Sequence, residues 1–200
     1  MYELLAIGYE LLSGLIPFGL LLLFHRGKSW LTLRNAICLF VFAVYITGVF
    51  YVTGAATIYD AARVSFMDLH RRVNLIPFSR EINAVGYALN IVMFVPFGFL
   101  LPSLFDQTSG WNVFRIGVCF SALIEISQLL THRGTDVDDL IMNTMGALLG
   151  WMIYQICHRC FKLQACGVPV KILPITILVI FTGRFFLFNV LGLINLIYGF

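Results

Sequence analysis

Long apolar runs separated by short polar stretches make up most of this 200-residue chain. Each run approaches or exceeds the ~20 residues with which an α-helix crosses a ~30 Å hydrocarbon layer. The strands of a closed β-barrel would alternate apolar and polar positions, and these unbroken runs do not. The pattern therefore predicts about five or six transmembrane helices, at residues 4–24, 34–58, 83–105, 113–130, 136–157 and 172–198.

The composition requires lipid as the main solvent of the chain. Hydrophobic residues make up 60% and charged residues 12%, whereas soluble domains carry roughly 25% charged residues. The net charge of +3 is too small for a nucleic-acid binder. We expect one all-α integral membrane domain over residues 1–200, with membrane lipids as partners and with no nucleic acid, cofactor or metal.

The loops between the runs differ in charge. Residues 25–34 and 158–171 contain basic residues and no acidic ones, and the positive-inside rule places such loops in the cytoplasm. Alternate loops of a helix bundle lie on one side of the membrane. The segments 59–82 and 131–139 should therefore share one face, which this orientation makes the extracytoplasmic face.

A polar stripe runs along the fourth predicted helix. At 100° per residue its members fall within an arc of about 60°, and they are Ser121, Glu125, Gln128 and His132. A carboxylate within a span costs a few kcal/mol unless it is paired or hydrated. We expect the stripe to face the bundle interior, with Glu125 paired to Asn90, Asn143, His132 or an arginine. The alternative is that the stripe only joins neighbouring helices by hydrogen bonds.

The fifth predicted helix begins with three aspartates. Thr135 and Asp138 fit a capping box, so replacing Asp138 by Asn should cost about 1 kcal/mol or less. Asp136 and Asp139 are not explained by capping. They share a face with Asn143 and with two small residues that permit close helix approach, Gly146 and Gly150. We expect this face to lie against the Glu125 end of the fourth helix.

Other polar residues lie near the same predicted face of the membrane. Asn83, Tyr87 and Asn90 share one side of the third helix. The preceding loop reads RRVNLIPF over residues 71–78, and arginines at a bilayer surface attract anionic headgroups by about 1 kcal/mol each. Its apolar residues either dip into the interface or dock on the bundle. Glu10 and Arg184 also lie inside apolar runs. Each can satisfy the other, Arg184 can reach Glu125, or both side chains can extend to the membrane surface.

Four strings together resemble the VanZ-like family, in family order and over a core of about residues 70–155. They are RRVNLIPF (71–78), NIVMFVPFGFLLP (90–102), ALIEISQLL (122–130) and RGTDVDDLIMNTMGALLG (133–150). The resemblance implies a small multi-pass protein of the bacterial cell membrane. The family is named for a protein linked to resistance to the glycopeptide antibiotic teicoplanin, and it supplies no catalytic assignment. The positions that match its motifs are Arg72, Asn74, Pro77, Phe78, Asn90, Pro96, Gly98, Glu125, Gln128, Arg133, Asp136, Asp139, Asn143 and Gly146.

These residues predict a polar pocket between the third, fourth and fifth helices, covered by the loop at residues 71–78. Its predicted ligand-binding residues are Arg71, Arg72, Asn74, Asn90, Glu125, Gln128, Arg133, Asp136, Asp139 and Asn143. Arginines and asparagines above carboxylates suit a zwitterionic or phosphate-bearing headgroup. The leading hypothesis is a protein that binds or modifies a surface lipid, a lipid-linked cell-wall precursor or a lipoglycopeptide antibiotic at the extracytoplasmic face.

Two alternatives remain open. In the first, the protein is a membrane enzyme acting on a lipid headgroup. Glu125 or His132 would then be the general base, and Asp136 with Asp139 would hold a divalent cation. In the second, it is a small transporter with Glu125 as the proton-coupled group.

Overall fold

A computed structural model describes residues 2–64, 73–79, 83–105, 108–131, 133–189 and 192. Within these ranges six helices have 16 to 25 residues: α1 (Tyr2–Phe24), α2 (Leu33–Thr53), α4 (Ala84–Leu104), α5 (Gly110–Gln128), α6 (Val137–Phe161) and α7 (Ile172–Leu187). A four-residue helix, α3 (Ile58–Ala61), and two short strands, β1 (Val73–Asn74) and β2 (Thr135–Asp136), complete the elements. The all-α prediction is confirmed.

The helices are those of a membrane protein. In the described part of the chain, α1, α2, α4 and α6 are long and apolar enough to cross a bilayer. The apolar helix α7 is shorter, with 16 residues, and α5 carries Arg115 and Glu125 in its 19 residues. Large apolar side chains remain exposed on the outer surface, including Phe24 on α1 and Val92 on α4. Lipid is the environment in which this exposure carries no cost.

The second and sixth apolar runs are shorter as helices than their sequence pattern predicts. Gly54 ends α2 in the left-handed conformation, with φ of 63°, and its N–H donates to the carbonyl oxygens of Phe50 and Tyr51. Thr57 then caps the separate helix α3. Helix α7 ends at Leu187, and most of the remaining predicted run, to residue 198, lies outside the described residues.

The closest backbone contact joins α4 to α6. A methyl group built on Gly98 would lie 1.7 Å from the Ala147 carbonyl oxygen, and one on Gly150 would lie 2.0 Å from that of Val95. A methyl group on Gly146 would lie 2.3 Å from the Ile91 carbonyl oxygen. The predicted close approach is therefore real. The glycine face packs on α4, however, whereas the sequence led us to expect α5.

A second close pair, α1 and α7, contains a buried ion pair. Gly183 brings the helices together, because a methyl group there would meet the Pro17 side chain at 2.5 Å. Arg184 Nε then donates to Glu10 Oε1 at 2.6 Å, and both side chains are buried. Of the two partners considered for Arg184 from the sequence, Glu10 is the correct one.

The bundle has two distinct ends. The one we call the basic end contains residues 25–34, 103–105 and 162–171, where Arg34 donates to the carbonyl oxygens of Gln164 and Ala165. The other, the site end, contains residues 53–64, 73–79, 125–139 and 184–189. Between them lies an aromatic core in which the rings of Phe97 and Phe120 are 4.8 Å apart. Most of the predicted site residues that the structure describes lie at the site end.

Candidate functional site

A parallel pair of two-residue strands joins two distant segments at the site end. Val73 pairs with Thr135, and Asn74 pairs with Asp136. Asn74 Nδ2 also donates to both carboxylate oxygens of Asp136, at 3.1 and 3.2 Å. On its other side, Asn74 Oδ1 accepts from the Ile76 N–H and the Ser79 hydroxyl. The described parts of segments 59–82 and 131–139 lie at one end of the bundle, as predicted, and Asn74 fixes the turn at residues 73–79.

The predicted role of Asp138 is wrong. Helix α6 is capped by Asp136, whose side chain accepts from the Asp138 N–H at 3.0 Å, and no Thr135–Asp138 capping box forms. The Asp138 side chain is instead 1% exposed. It accepts from the Phe78 N–H at 2.8 Å and from the Tyr87 hydroxyl at 2.5 Å. Its carboxylate thus ties the turn at residues 73–79 to both α4 and α6.

Phe78 explains why this tie is needed. Its φ of 55° lies in the left-handed region that bulky side chains seldom adopt. The bond from its N–H to a buried carboxylate is charge-assisted, and such bonds are roughly twice as strong as neutral ones. The sequence does contain a signal for Asp138. The start of α6 needs one aspartate for capping but has three, so the others are available for tertiary contacts.

Glu125 is buried, as expected, and in the described part of the chain its carboxylate accepts from a backbone N–H. The side chain is 5% exposed, and Oε2 accepts from the backbone N–H of Asp136 at 3.1 Å. Of the expected side-chain partners, Asn90 and Asn143 bond elsewhere, whereas His132 lies outside the described residues. Asn90 Nδ2 donates to Asp139 Oδ1 at 2.6 Å, and Asn143 Nδ2 donates to the Ser121 hydroxyl at 3.0 Å.

We call Glu125, Asp136, Asp138 and Asp139 the carboxylate cluster. Each member accepts a hydrogen bond from another part of the protein, so the cluster joins the turn at residues 73–79 to α4, α5 and α6. Within the described residues, no group of three or more His, Cys, Asp or Glu side chains is arranged to hold a metal ion. The pair considered as a cation site, Asp136 and Asp139, is engaged by two asparagine amides.

The rest of the polar stripe on α5 also faces inward, as predicted. Ser121 and Gln128 are buried, and Gln128 Nε2 donates to the Thr53 carbonyl oxygen at 2.8 Å. Among the described groups, the side-chain oxygens of Gln128 and Asn143 are buried without a hydrogen-bond donor. His132, the fourth member of the stripe, lies outside the described residues, as do Arg71 and Arg72.

Three arginines from three separate segments surround a cavity of about 240 Å³ at the site end. We call it the arginine cavity, and its lining consists of Gly54, Ala55, Thr57, Tyr59, Asp60, Arg63, Thr131, Arg133, Arg184, Phe188 and Asn189. No member of the carboxylate cluster lines it. Sequence reasoning included Arg133 but missed Arg63 and Arg184, because nothing local in the sequence relates residues so far apart.

Backbone carbonyl groups hold two of these arginines in place. Arg133 Nη1 donates to the Thr53 carbonyl oxygen at 2.6 Å, and Arg184 Nη1 donates to that of Ala55 at 2.5 Å. Gly54 lies between these two acceptors, and a methyl group on it would come within 2.9 Å of the Arg133 guanidinium. The end of α2 therefore positions positive charge from α7 and from the turn before α6.

These features define a helical membrane protein with a polar, hydrogen-bonded end. The family model described as VanZ/LLP1 matches residues 42–158. Protein VanZ of Enterococcus faecium is 31% identical over 123 residues, which cover 59% of this chain and 76% of that protein. No solved structure matches the chain. The chain belongs to the VanZ/LLP1 family, and the matched region includes β1, β2, the carboxylate cluster and Arg133, but neither Glu10 nor Arg184.

Proposed function

We propose that this protein binds the phosphate-bearing headgroup of a surface lipid or lipid-linked cell-wall precursor at the extracytoplasmic face of the bacterial cell membrane. The observation that carries the proposal is the convergence of Arg63, Arg133 and Arg184 on one cavity. Guanidinium groups present paired N–H donors in a planar fork that matches phosphate oxygens. A volume of about 240 Å³ suits a headgroup and not a whole lipid, since sites for drug-sized ligands begin near ~300 Å³.

The charges around the cavity favour an anion. Asp60 is the carboxylate among the lining residues, and its Oδ2 accepts from both the N–H and the hydroxyl of Thr57 at 2.8 Å. Glu10 pairs with Arg184 from outside the lining. The charge of Glu10 balances that of Arg184, so among the described residues Arg63 and Arg133 face the one carboxylate of Asp60, which leaves one positive charge in excess for a ligand.

In this proposal the carboxylate cluster does not bind the headgroup, but it holds a neighbouring segment in place. The cluster holds the turn at residues 73–79, whose apolar side chains Leu75, Ile76 and Phe78 are 73%, 68% and 53% exposed. Apolar side chains held outward at the end of a membrane bundle partition into the lipid interface. Their insertion would keep the arginine cavity at the level of the headgroups. Binding there would limit access of lipid-tailed glycopeptides such as teicoplanin to their lipid-linked target.

A binding experiment tests the proposal with a soluble polyprenyl diphosphate. Purified protein in neutral detergent is titrated with farnesyl diphosphate and, separately, with farnesol, and binding is followed by isothermal titration calorimetry. We expect saturable binding of the diphosphate, at least tenfold weaker binding in Arg133→Gln and Arg63→Gln, and no equivalent binding of farnesol. Arg159→Gln is the matched control, because it removes one exposed arginine at the basic end.

Two outcomes would contradict the headgroup site. One is equal binding of diphosphate and alcohol, which would indicate simple partition of the apolar tail. The other is equal loss in Arg159→Gln and Arg133→Gln, which would indicate a general charge effect. A cellular measurement complements the titration: expression of the wild type should raise the teicoplanin concentration that inhibits growth, and Arg63→Gln should reduce that increase.

Topology is tested by thiol labelling in intact cells. In a background without the five native cysteines, Ser79→Cys and Gly134→Cys should react with a membrane-impermeant reagent, because both positions are exposed at the site end. Lys28→Cys at the basic end should react only after the membrane is permeabilised. The reverse pattern would place the site in the cytoplasm and refute the proposed face.

A further inference from the structure

A second cavity, larger than the first, opens near the basic end of the bundle between α5 and α7. Its volume is about 580 Å³, within the range of ligand sites that take drug-sized molecules. Phe120 and Leu123 line it from α5, and Ile177 and Leu178 line it from α7. We call it the α5–α7 groove. None of the residues in the arginine cavity contributes to it.

Two cations lie at one end of this groove. Arg115 is five residues into α5, and Lys171 directly precedes α7. Both helices run away from the basic end, so the two residues lie at the same end of the groove. Arg115 is one helical turn and a half from the helix start, about 8 Å at 1.5 Å per residue. Both side chains are exposed, and long basic side chains extend towards the headgroup level.

The lining of the groove is apolar along most of its length and positively charged at one end. The described residues of the lining include no aspartate or glutamate that would neutralise Arg115 and Lys171. A groove on the outer surface of a membrane bundle is filled by acyl chains, because lipid is its solvent. Basic pockets between membrane helices select the anionic headgroups attached to such chains. One phospholipid matches this arrangement, because its headgroup would lie beside the two cations while its acyl chain lies along the apolar side chains.

We infer that the α5–α7 groove is a binding site for one anionic diacyl phospholipid of the leaflet at the basic end. Its acyl chain lies against Phe120, Leu123 and Leu178, and its phosphate lies between Arg115 and Lys171. This site is independent of the proposed headgroup function, because it occupies the other end of the bundle. Half of its lining residues belong to α7 or to the two residues before it, which lie beyond the residues that the family model matches.

Native mass spectrometry tests this inference on the whole chain. The protein is reconstituted with equal amounts of dioleoyl phosphatidylglycerol and dioleoyl phosphatidylcholine, released from the membrane, and scored for the lipid it retains. We expect one phosphatidylglycerol to be retained in preference to phosphatidylcholine. The double variant Arg115→Gln/Lys171→Gln should lose about 25-fold in that preference, from two headgroup cations of about fivefold each.

Two comparison variants separate a built site from general effects. Arg26→Gln/Lys28→Gln removes the same charge from the same end outside the groove, and it should retain the wild-type preference. Leu178→Trp fills the groove from an exposed position, and it should reduce retention of both lipids without changing charge. Binding of farnesyl diphosphate should be unchanged in all three variants, so the two sites can fail separately.

Three results would overturn the inference. The first is a wild-type preference in the Arg115→Gln/Lys171→Gln variant. The second is an equal loss in the Arg26→Gln/Lys28→Gln control, which would indicate attraction of anionic lipid to the whole basic end. The third is a dimer that retains no phosphatidylglycerol and dissociates in Leu178→Trp, which would show that a second copy of the chain covers the groove.

Discussion

Replacing Asp138 by Asn removes charge without changing size, at the point where the turn at residues 73–79 meets α4 and α6. In the wild type, one carboxylate oxygen accepts from the Phe78 N–H and the other from the Tyr87 hydroxyl. An amide offers one acceptor oxygen and one donor group. We therefore expect Asp138→Asn to keep the bond to Phe78 and to lose the bond that Tyr87 donates.

The expected cost follows from that lost bond. A hydrogen bond to a charged group contributes about 1.5–3 kcal/mol, and Asp138 is almost completely buried. Asp138→Asn should lower the free energy of unfolding by that amount. Tyr87→Phe removes the same bond from the other side and should cost a similar amount in the wild type, but less than about 1 kcal/mol in the Asp138→Asn background.

A double-mutant cycle measures this coupling. The free energy of unfolding is obtained for each variant by titrating SDS into dodecyl maltoside micelles and recording helix content by circular dichroism. Asp139→Asn is the matched control, since one amide oxygen is enough to accept from Asn90. The reasoning is refuted if Asp138→Asn costs less than about 1 kcal/mol, as a simple capping change would, or if Tyr87→Phe costs the same in both backgrounds.

Three further predictions concern helix packing, the buried ion pair and the turn at the site end. Gly98→Ala should destabilise the protein by about 3 kcal/mol or more in the same SDS titration, because the new methyl group would meet the α6 backbone. Its control, Gly48→Ala, has open space and should be neutral or stabilising by up to about 1 kcal/mol. Glu10→Leu should cost about 3–5 kcal/mol by leaving Arg184 buried without its carboxylate, whereas the double variant Glu10→Leu/Arg184→Leu should cost less. A double variant less stable than Glu10→Leu would contradict this account. Asn74→Ala should raise amide hydrogen exchange in residues 73–79 at least tenfold, as measured by mass spectrometry, with the middle of α4 unchanged.

The sequence by itself determined the class of fold and most helix bounds. Runs of apolar residues long enough for a bilayer predict helices from local information alone, and α4 (Ala84–Leu104) lies within one residue of its predicted ends. Helical periodicity also identified the buried side of α5, including Ser121 and Glu125. The number of helices between the two segments that form β1 and β2 placed both segments at one end of the bundle, because each membrane crossing reverses the direction of the chain.

Only the tertiary structure decided which residues act together. Asp138 belongs to a capping pattern when the sequence is considered alone, and its true partners, Phe78 and Tyr87, precede it by 60 and 51 residues. The arginine cavity likewise depends on α7 returning to the end of α2, which places Arg184 beside Ala55. A helix pattern shows which side is buried but not which neighbour covers it. The neighbour is chosen by shape complementarity between distant segments, and no local spacing in the sequence encodes that choice.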